Sequence, residues 1–336
     1  ILRSNQRFSG VVLHDLKRVV ALSKGYKPSW TEDGFILKPS AKQVIQTLKS
    51  MKGKRVAYDI ESDGRHPLVQ DVRCVGFYDG EKGICVPFLY RDGTTVDVIL
   101  SGRKRPVKRA VWKRYFDGAE LKSVIAACQE LFSDPSVSLE TQNGQYDRMG
   151  LGAKYGLKIP CGADHPRHFD DILAHHVVAS YFPHGLDFLT SIYTDCPYYK
   201  STESGSAWSS ESDHELWQYC LIDCKATRQV ASRLRVEIAQ GRPEDAKLLA
   251  HDHRQELEAQ RWKTRGIAVD VEALALLSMT YKERAARALA AMKSVLATAS
   301  NANIKPKALD DLLEKLTGQA DEEVGDDQGA VVEIFN

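Results

Sequence analysis

The segment Val56-Ala57-Tyr58-Asp59-Ile60-Glu61-Ser62-Asp63-Gly64 constrains the chain most, because it is an apolar strand that ends in acids. Period-two alternation puts Asp59 and Glu61 on one face, about 7 Å apart along the strand. Two carboxylates on one strand face do little for stability. They suit a hard cation, since Mg²⁺ prefers a few oxygen ligands and retained waters. Alone, the pair reads first as a polar strand end facing solvent.

Around it the pattern is short and β-rich. Val72–Phe77 and Gly83–Pro87 read as strands separated by Asp/Gly turns such as Tyr78-Asp79-Gly80. Apolar spacing at Leu121, Val124, Ile125, Cys128, Leu131 and Phe132 predicts a helix. Ser136–Glu140 reads as another strand, and Asp147–Tyr155 as a helix closed by Gly156. Helical patterns then cover Asp170–Tyr181, His184–Tyr193 and His214–Gln240. Strands first, then helices interleaved with a central sheet, predict a mixed α/β layer fold. Before it, Val11–Leu22 and a stretch from Lys42 read as helices. Gly241-Arg242-Pro243 reads as a boundary; beyond it Glu244–Arg265, Val271–Ser300 and Lys307–Leu316 are helical in pattern, and the acidic end is unstructured in composition.

Composition bounds the setting. The 336 residues are 43% hydrophobic and 27% charged, ordinary for a soluble globular protein. The net charge of +1 hides local patches. From Arg103 to Arg114 seven of twelve residues are basic and none is acidic; from Asp310 to Glu333 nine acids face only Lys315. A polyanion would meet one face more readily than another. The seven Cys are scattered without any Cys-x-x-Cys pair, which argues against a disulfide framework and a structural zinc site and favours a reducing compartment. His165, His168, His175 and His176 match no common metal-binding spacing. No apolar run approaches the ~18 residues of a membrane span, and no signal peptide opens the chain. The first residue is Ile, so the chain reads as processed, trimmed or a fragment.

Two further elements carry acids. Gln142-Asn143-Gly144-Gln145-Tyr146-Asp147 sits at a strand-to-helix junction, where Asp147 is either aimed over the sheet or a simple helix cap. Tyr219 and Asp223 are spaced i,i+4 and share a helix face, either as chemistry or as a half-buried Tyr beside a solvated Asp. Together, Asp59-x-Glu61, Asn143-x-x-x-Asp147 and Tyr219-x-x-x-Asp223 resemble the DEDD exonuclease superfamily of ribonuclease H-like fold, in its Tyr-containing branch. Supporting similarity lies in His168-Phe169-Asp170-Asp171-Ile172-Leu173 and His184-Gly185-Leu186-Asp187-Phe188-Leu189. The other branch would place His where Gln218 stands. Downstream, Glu256–Asp270 is similar to the segment joining the proofreading and polymerase regions of family A (pol I-like) DNA polymerases.

The resemblance implies an α/β, ribonuclease H-like mixed sheet flanked by helices over 49–240. A lead-in or remnant of an upstream domain would occupy 1–48, and the helical start of a polymerase thumb 241–336. It implies a 3′→5′ exodeoxyribonuclease using two divalent ions, Mg²⁺ or Mn²⁺. Asp59, Glu61, Asp147 and Asp223 would hold metal, Tyr219 would orient the attacking water, and Asn143 and Tyr146 would hold the terminal nucleotide. Chemistry agrees that converging acids need cations: two charges ~4 Å apart repel by about 4 kcal/mol at an effective dielectric of ~20. The implied partners are a single-stranded DNA 3′ end and a polymerase domain of the same polypeptide, in the cytoplasm of a bacterium or phage-infected host, with no membrane. Neither the Asp-x-Ser-x-x-x-Glu palm motif nor a fingers helix is present in the sequence. An RNA-trimming enzyme akin to ribonuclease D and a non-catalytic nucleic-acid-binding module remain alternatives. The basic stretch, with Trp112 and Tyr115, reads either as a backbone-tracking surface or as a solvated loop; Trp208 and Trp217 flank a Ser-rich loop.

Overall fold

A computed structural model describes residues 9–64, 66–98, 107–162, 167–197, 199 and 212–298. The expected helix at Lys307–Leu316, the acidic end, His165, Trp208 and most of the Ser-rich loop lie outside these residues. The central sheet has six strands: β1 (Phe35–Ile36), β2 (Arg55–Ser62), β3 (Val72–Tyr78), β4 (Gly83–Pro87), β7 (Ser138–Thr141) and β8 (Phe169–Asp170). Their order is β1-β4-β3-β2-β7-β8. β2, β3 and β4 are antiparallel neighbours, while β7 and β8 continue parallel to β2.

Alternation along β2 sorts its residues as the sequence predicts. Val56, Tyr58 and Ile60 enter a core with α2 (Ala41–Ser50) and α3 (Gly118–Ser133), where Phe132 packs edge-on to Tyr58 at 5.0 Å. Both helices begin at side-chain caps: Ser40 in a capping box with Gln43, and Asp117 accepting from Ala119 and Glu120 N–H groups. On the other side of the sheet, α5 (Asp171–Ala179), α6 (Leu186–Tyr193), α7 (Asp213–Gln240) and α8 (Asp245–Arg265) share a second core through Ala174, Leu189, Val230, Leu234 and Leu249. α4 (Gly144–Tyr155) ends at Gly156, whose φ of 67° is the left-handed stop read from the sequence.

Two compact units are present. The first, Ile1–Val96 with Ala110–Thr264, holds the sheet, and both α7 and α8 up to Thr264 belong to it. The second is Asp97–Arg109 with Arg265–Asn336; its described helix, α9 (Val271–Thr298), leaves Leu274, Leu276, Leu277 and Met279 exposed. The basic stretch is not simply a loop: β5 (Leu89–Val98) and β6 (Val107–Arg114) pair as a separate two-stranded sheet. The run Val107-Lys108-Arg109-Ala110-Val111-Trp112-Lys113-Arg114 has no period-two alternation of apolar and polar residues, so its sequence gives little strand signal. No helix among the described residues is long and apolar enough to cross a membrane.

Candidate active site

Asp59 and Glu61 lie on the β2 face opposite the Tyr58–Phe132 core, and α7 packs over that face. Carboxylate oxygens of both and the Cys220 thiol lie within 4.8 Å of one another. What lets α7 approach is Gly76, the β3 partner of Asp59. A Cβ on Gly76 would stand 2.7 Å from Cys224 Sγ and 2.8 Å from Cys220 Sγ. Cys220 Sγ in turn donates to the Asp59 carbonyl oxygen at 3.6 Å.

Asp147 arrives from α4. Its buried carboxylate Oδ1 accepts the Ile60 backbone N–H at 2.9 Å, between the two strand acids. Burial pushes the Asp147 carboxyl up to about 7, with Asp170 adding to the rise; the Ile60 N–H and Arg148 oppose it. α7 brings Asp223, buried, and Tyr219, half-buried, one turn apart. Burial pushes the Cys224 thiol up to about 11, and Asp59, Asp223 and Asp147 each add to that shift, so all three carboxylates are within electrostatic reach of one sulfur. The three motifs are thus carried by β2, by the helix whose Asp147 bonds β2, and by the helix packed against β2.

The remaining candidates are placed as follows. Asn143 is exposed in the left-handed region at φ 62°, which Asn tolerates better than most residues, and its side chain makes no cap bond. The Tyr146 hydroxyl is 2.8 Å from the Gly64 carbonyl and 2.9 Å from Ser62 Oγ, and it also bonds Gln70, tying α4 to the end of β2.

Three supporting residues were not assigned roles by the sequence. Asp170, fully buried, accepts from Gly144 N (2.8 Å), Ile172 N (3.0 Å), Asn143 N (3.2 Å) and Thr141 Oγ1 (3.2 Å). It therefore caps α4 and α5 together and fixes the first turn of the helix that carries Asp147. Its partners come from two distant segments, though the doubled Asp170-Asp171 before an apolar run was a visible cap signal. Arg148, buried on α4, pairs with Glu256 of α8 and donates to Gln260 at 2.9 Å. Tyr199 donates its hydroxyl to Asp223 Oδ1, and its ring lies 5.6 Å from that of Tyr219. No sequence signal marked Tyr199.

Other aromatic and imidazole groups are engaged within the protein. The Arg73 and Arg91 guanidiniums each lie over the Trp112 ring, at 4.6 and 4.7 Å, and Tyr115 packs edge-on against Trp217 at 5.6 Å. Arg73 also pairs with Asp213 in the first turn of α7 at 2.7 Å. His175 and His184 meet nitrogen to nitrogen at 2.7 Å, and His168 faces Arg148 at 3.0 Å. Among the described residues, the groupings able to hold a metal contain Cys, Asp and Glu but no His.

The residues fit a divalent cation. A cation binding oxygen at about 2.1 Å spans oxygens up to roughly 4 Å apart, and the Asp59 and Glu61 oxygens lie within 4.8 Å of each other. A buried carboxyl such as Asp147, held up towards its neutral form, is one that a nearby cation returns to the carboxylate.

No protein-family model and no curated protein matches the sequence. Solved structures do. The RRP6 catalytic core from Trypanosoma brucei (mutant C496S) aligns at 12% identity and TM-score 0.48 over 69% of this chain and 54% of its own. RNase D of Escherichia coli, an exoribonuclease, aligns at 15% identity and TM-score 0.45 over 67% and 50%. The POL domain of Pol1 from M. smegmatis, in complex with DNA primer-template and dNTP, aligns at 17% identity and TM-score 0.50 over 79% and 38%. This chain thus spans about half or less of each of those chains. At these identities the likeness is one of fold: a ribonuclease H-like mixed sheet with flanking helices and a helical C-terminal part, shared with a polymerase I chain.

Proposed function

We propose that the chain is a 3′→5′ exonuclease acting on DNA, the proofreading part of a family A (pol I-like) polymerase. The observation that carries this reading is Asp59 and Glu61 on one strand face, with Asp147 tied to the Ile60 N–H between them and Asp223 on the helix packed over that strand. In this reading Asp59, Glu61 and Asp223 hold one cation, Asp59 reaches towards a second, and Asp147 serves that second position. Two bound divalent ions, Mg²⁺ or Mn²⁺, supply an activated water and stabilise the leaving oxygen of an in-line displacement. The Tyr219 hydroxyl orients the attacking water, and Asn143 and Tyr146 hold the terminal nucleotide. The fold match to Pol1 over 79% of this chain supports a polymerase setting. In that setting 49–240 is the nuclease and 241–336 the start of the thumb.

The test is metal-dependent release of nucleoside 5′-monophosphates from matched single-stranded DNA and RNA oligonucleotides. Faster release from DNA is expected, abolished by chelation and by Asp59→Ala with Glu61→Ala. Preference for RNA would move the reading to an RNA-trimming enzyme. Release untouched by the double substitution would remove the assignment.

A further inference from the structure

Four of the seven cysteines, Cys74, Cys85, Cys220 and Cys224, gather on one side of the sheet, although they come from three separate elements of the chain. Cys74 on β3, Cys85 on β4 and Cys220 on α7 have their sulfurs within 4.8 Å of one another, and all three are wholly buried. Register explains the convergence. Cys85 pairs with Gly76, Cys74 lies two residues before Gly76, and the missing side chain at Gly76 admits the Cys220 and Cys224 sulfurs. Cys224 follows Cys220 by one helical turn, and their thiols interact.

We propose that Cys74, Cys85 and Cys220 form a binding site for one thiophilic cation of the Zn²⁺ or Cu⁺ class, with Cys224 as an available fourth ligand. A cation holding sulfur at about 2.3 Å in a three-coordinate plane needs sulfurs roughly 4 Å apart, which this cluster meets with little movement. Thiolates select soft cations, whereas the neighbouring Asp59 and Glu61 carboxylates suit hard ones, so the two sites sort metals by chemistry. Each thiol that ligates gives its proton to solvent. Cys220 then stops donating to the Asp59 carbonyl oxygen, so filling the thiol site withdraws a contact from the strand that carries the acids. The proposal stands on sulfur geometry and is independent of any nuclease activity. Because the sulfurs are fully buried, loading proceeds during folding or through local opening.

The test uses the whole 336-residue chain, reduced, with metal added either to the folded protein or during refolding. Zn²⁺ and Cu⁺ are run as separate arms, with Cd²⁺ for its thiolate charge-transfer absorption. The expected result is one tightly held ion per chain, lost in Cys74→Ser with Cys220→Ser. It should persist in Asp59→Asn with Glu61→Gln, and in Cys128→Ser with Cys161→Ser. X-ray absorption of the loaded wild-type chain should show three or four sulfur neighbours at about 2.3 Å, a readout that does not depend on the variants folding. No retained ion by either loading route, an oxygen or nitrogen shell, or binding that follows the Asp59/Glu61 variant would overturn the site.

Discussion

Asp147 Oδ1 accepts the Ile60 backbone N–H at 2.9 Å, so the third acid is locked to the strand between the first two. Replacing Asp147 by Asn keeps an oxygen for that hydrogen bond and removes the charge. Nuclease rate should fall roughly 10²–10⁴-fold, the scale of several kcal/mol of metal-borne charge stabilisation, with little change in thermal midpoint. Asp147→Ala should also cost about 1–3 kcal/mol of stability, because it leaves a buried N–H without its acceptor. A wild-type rate in Asp147→Asn would remove Asp147 from the site.

Gly76→Ala inserts a methyl between β3 and α7, 2.7 and 2.8 Å from two sulfurs. Overpacking of this kind costs about 1–3 kcal/mol. Urea unfolding should show that loss, and the nuclease rate should drop as α7 carries Asp223 away from β2. Unchanged stability would mean the helix is not seated by this glycine.

Buried Arg148 and Glu256, whose side chain is mostly covered, form a pair linking α4 to α8. Arg148→Met strands the Glu256 carboxylate and should cost about 3–5 kcal/mol. Adding Glu256→Gln should recover more than half of that in a double-mutant cycle. A single-variant cost below about 1 kcal/mol, the range of an exposed pair, would show that the pair does not hold α8 in place.

Tyr199→Phe removes the hydroxyl that donates to Asp223 and should loosen a ligand without removing it. The Mg²⁺ concentration giving half-maximal nuclease activity should rise roughly 10-fold or more, while the rate at saturating Mg²⁺ stays near wild type. A fall in the saturating rate alone would assign Tyr199 to the chemistry instead.

Burial, with His184 and His176 adding to it, holds His175 down to about 4 from its ordinary 6.5. Between those values the unfolded chain carries one proton more than the folded one. The stabilisation is therefore complete above the unfolded value and is lost as pH falls towards the folded one, at up to about 1.4 kcal/mol per pH unit. Unfolding midpoints measured from pH 7 to 4.5 should fall less steeply in His175→Gln; parallel curves would exclude His175 as the source.

Much of the site was legible because its signals are local. Period-two alternation alone placed Asp59 and Glu61 together, and i,i+4 spacing placed Tyr219 above Asp223. Gly156 stopped α4 where its missing Cβ predicted. The two-residue strands β1 and β8 and the charged ribbon of β5 and β6 were missed, because short or heavily charged strands carry little hydrophobic periodicity.

Sequence by itself determined which faces carry the acids, since backbone geometry repeats over a few residues. Only the tertiary structure decided that Asp59 stands opposite Gly76, that Tyr199 reaches Asp223, and that Cys74, Cys85 and Cys220 share one pocket of sulfur. Those relations depend on strand register and on how closely α7 approaches the sheet. Both are set by packing between segments far apart in the chain, a quantity that no local spacing encodes.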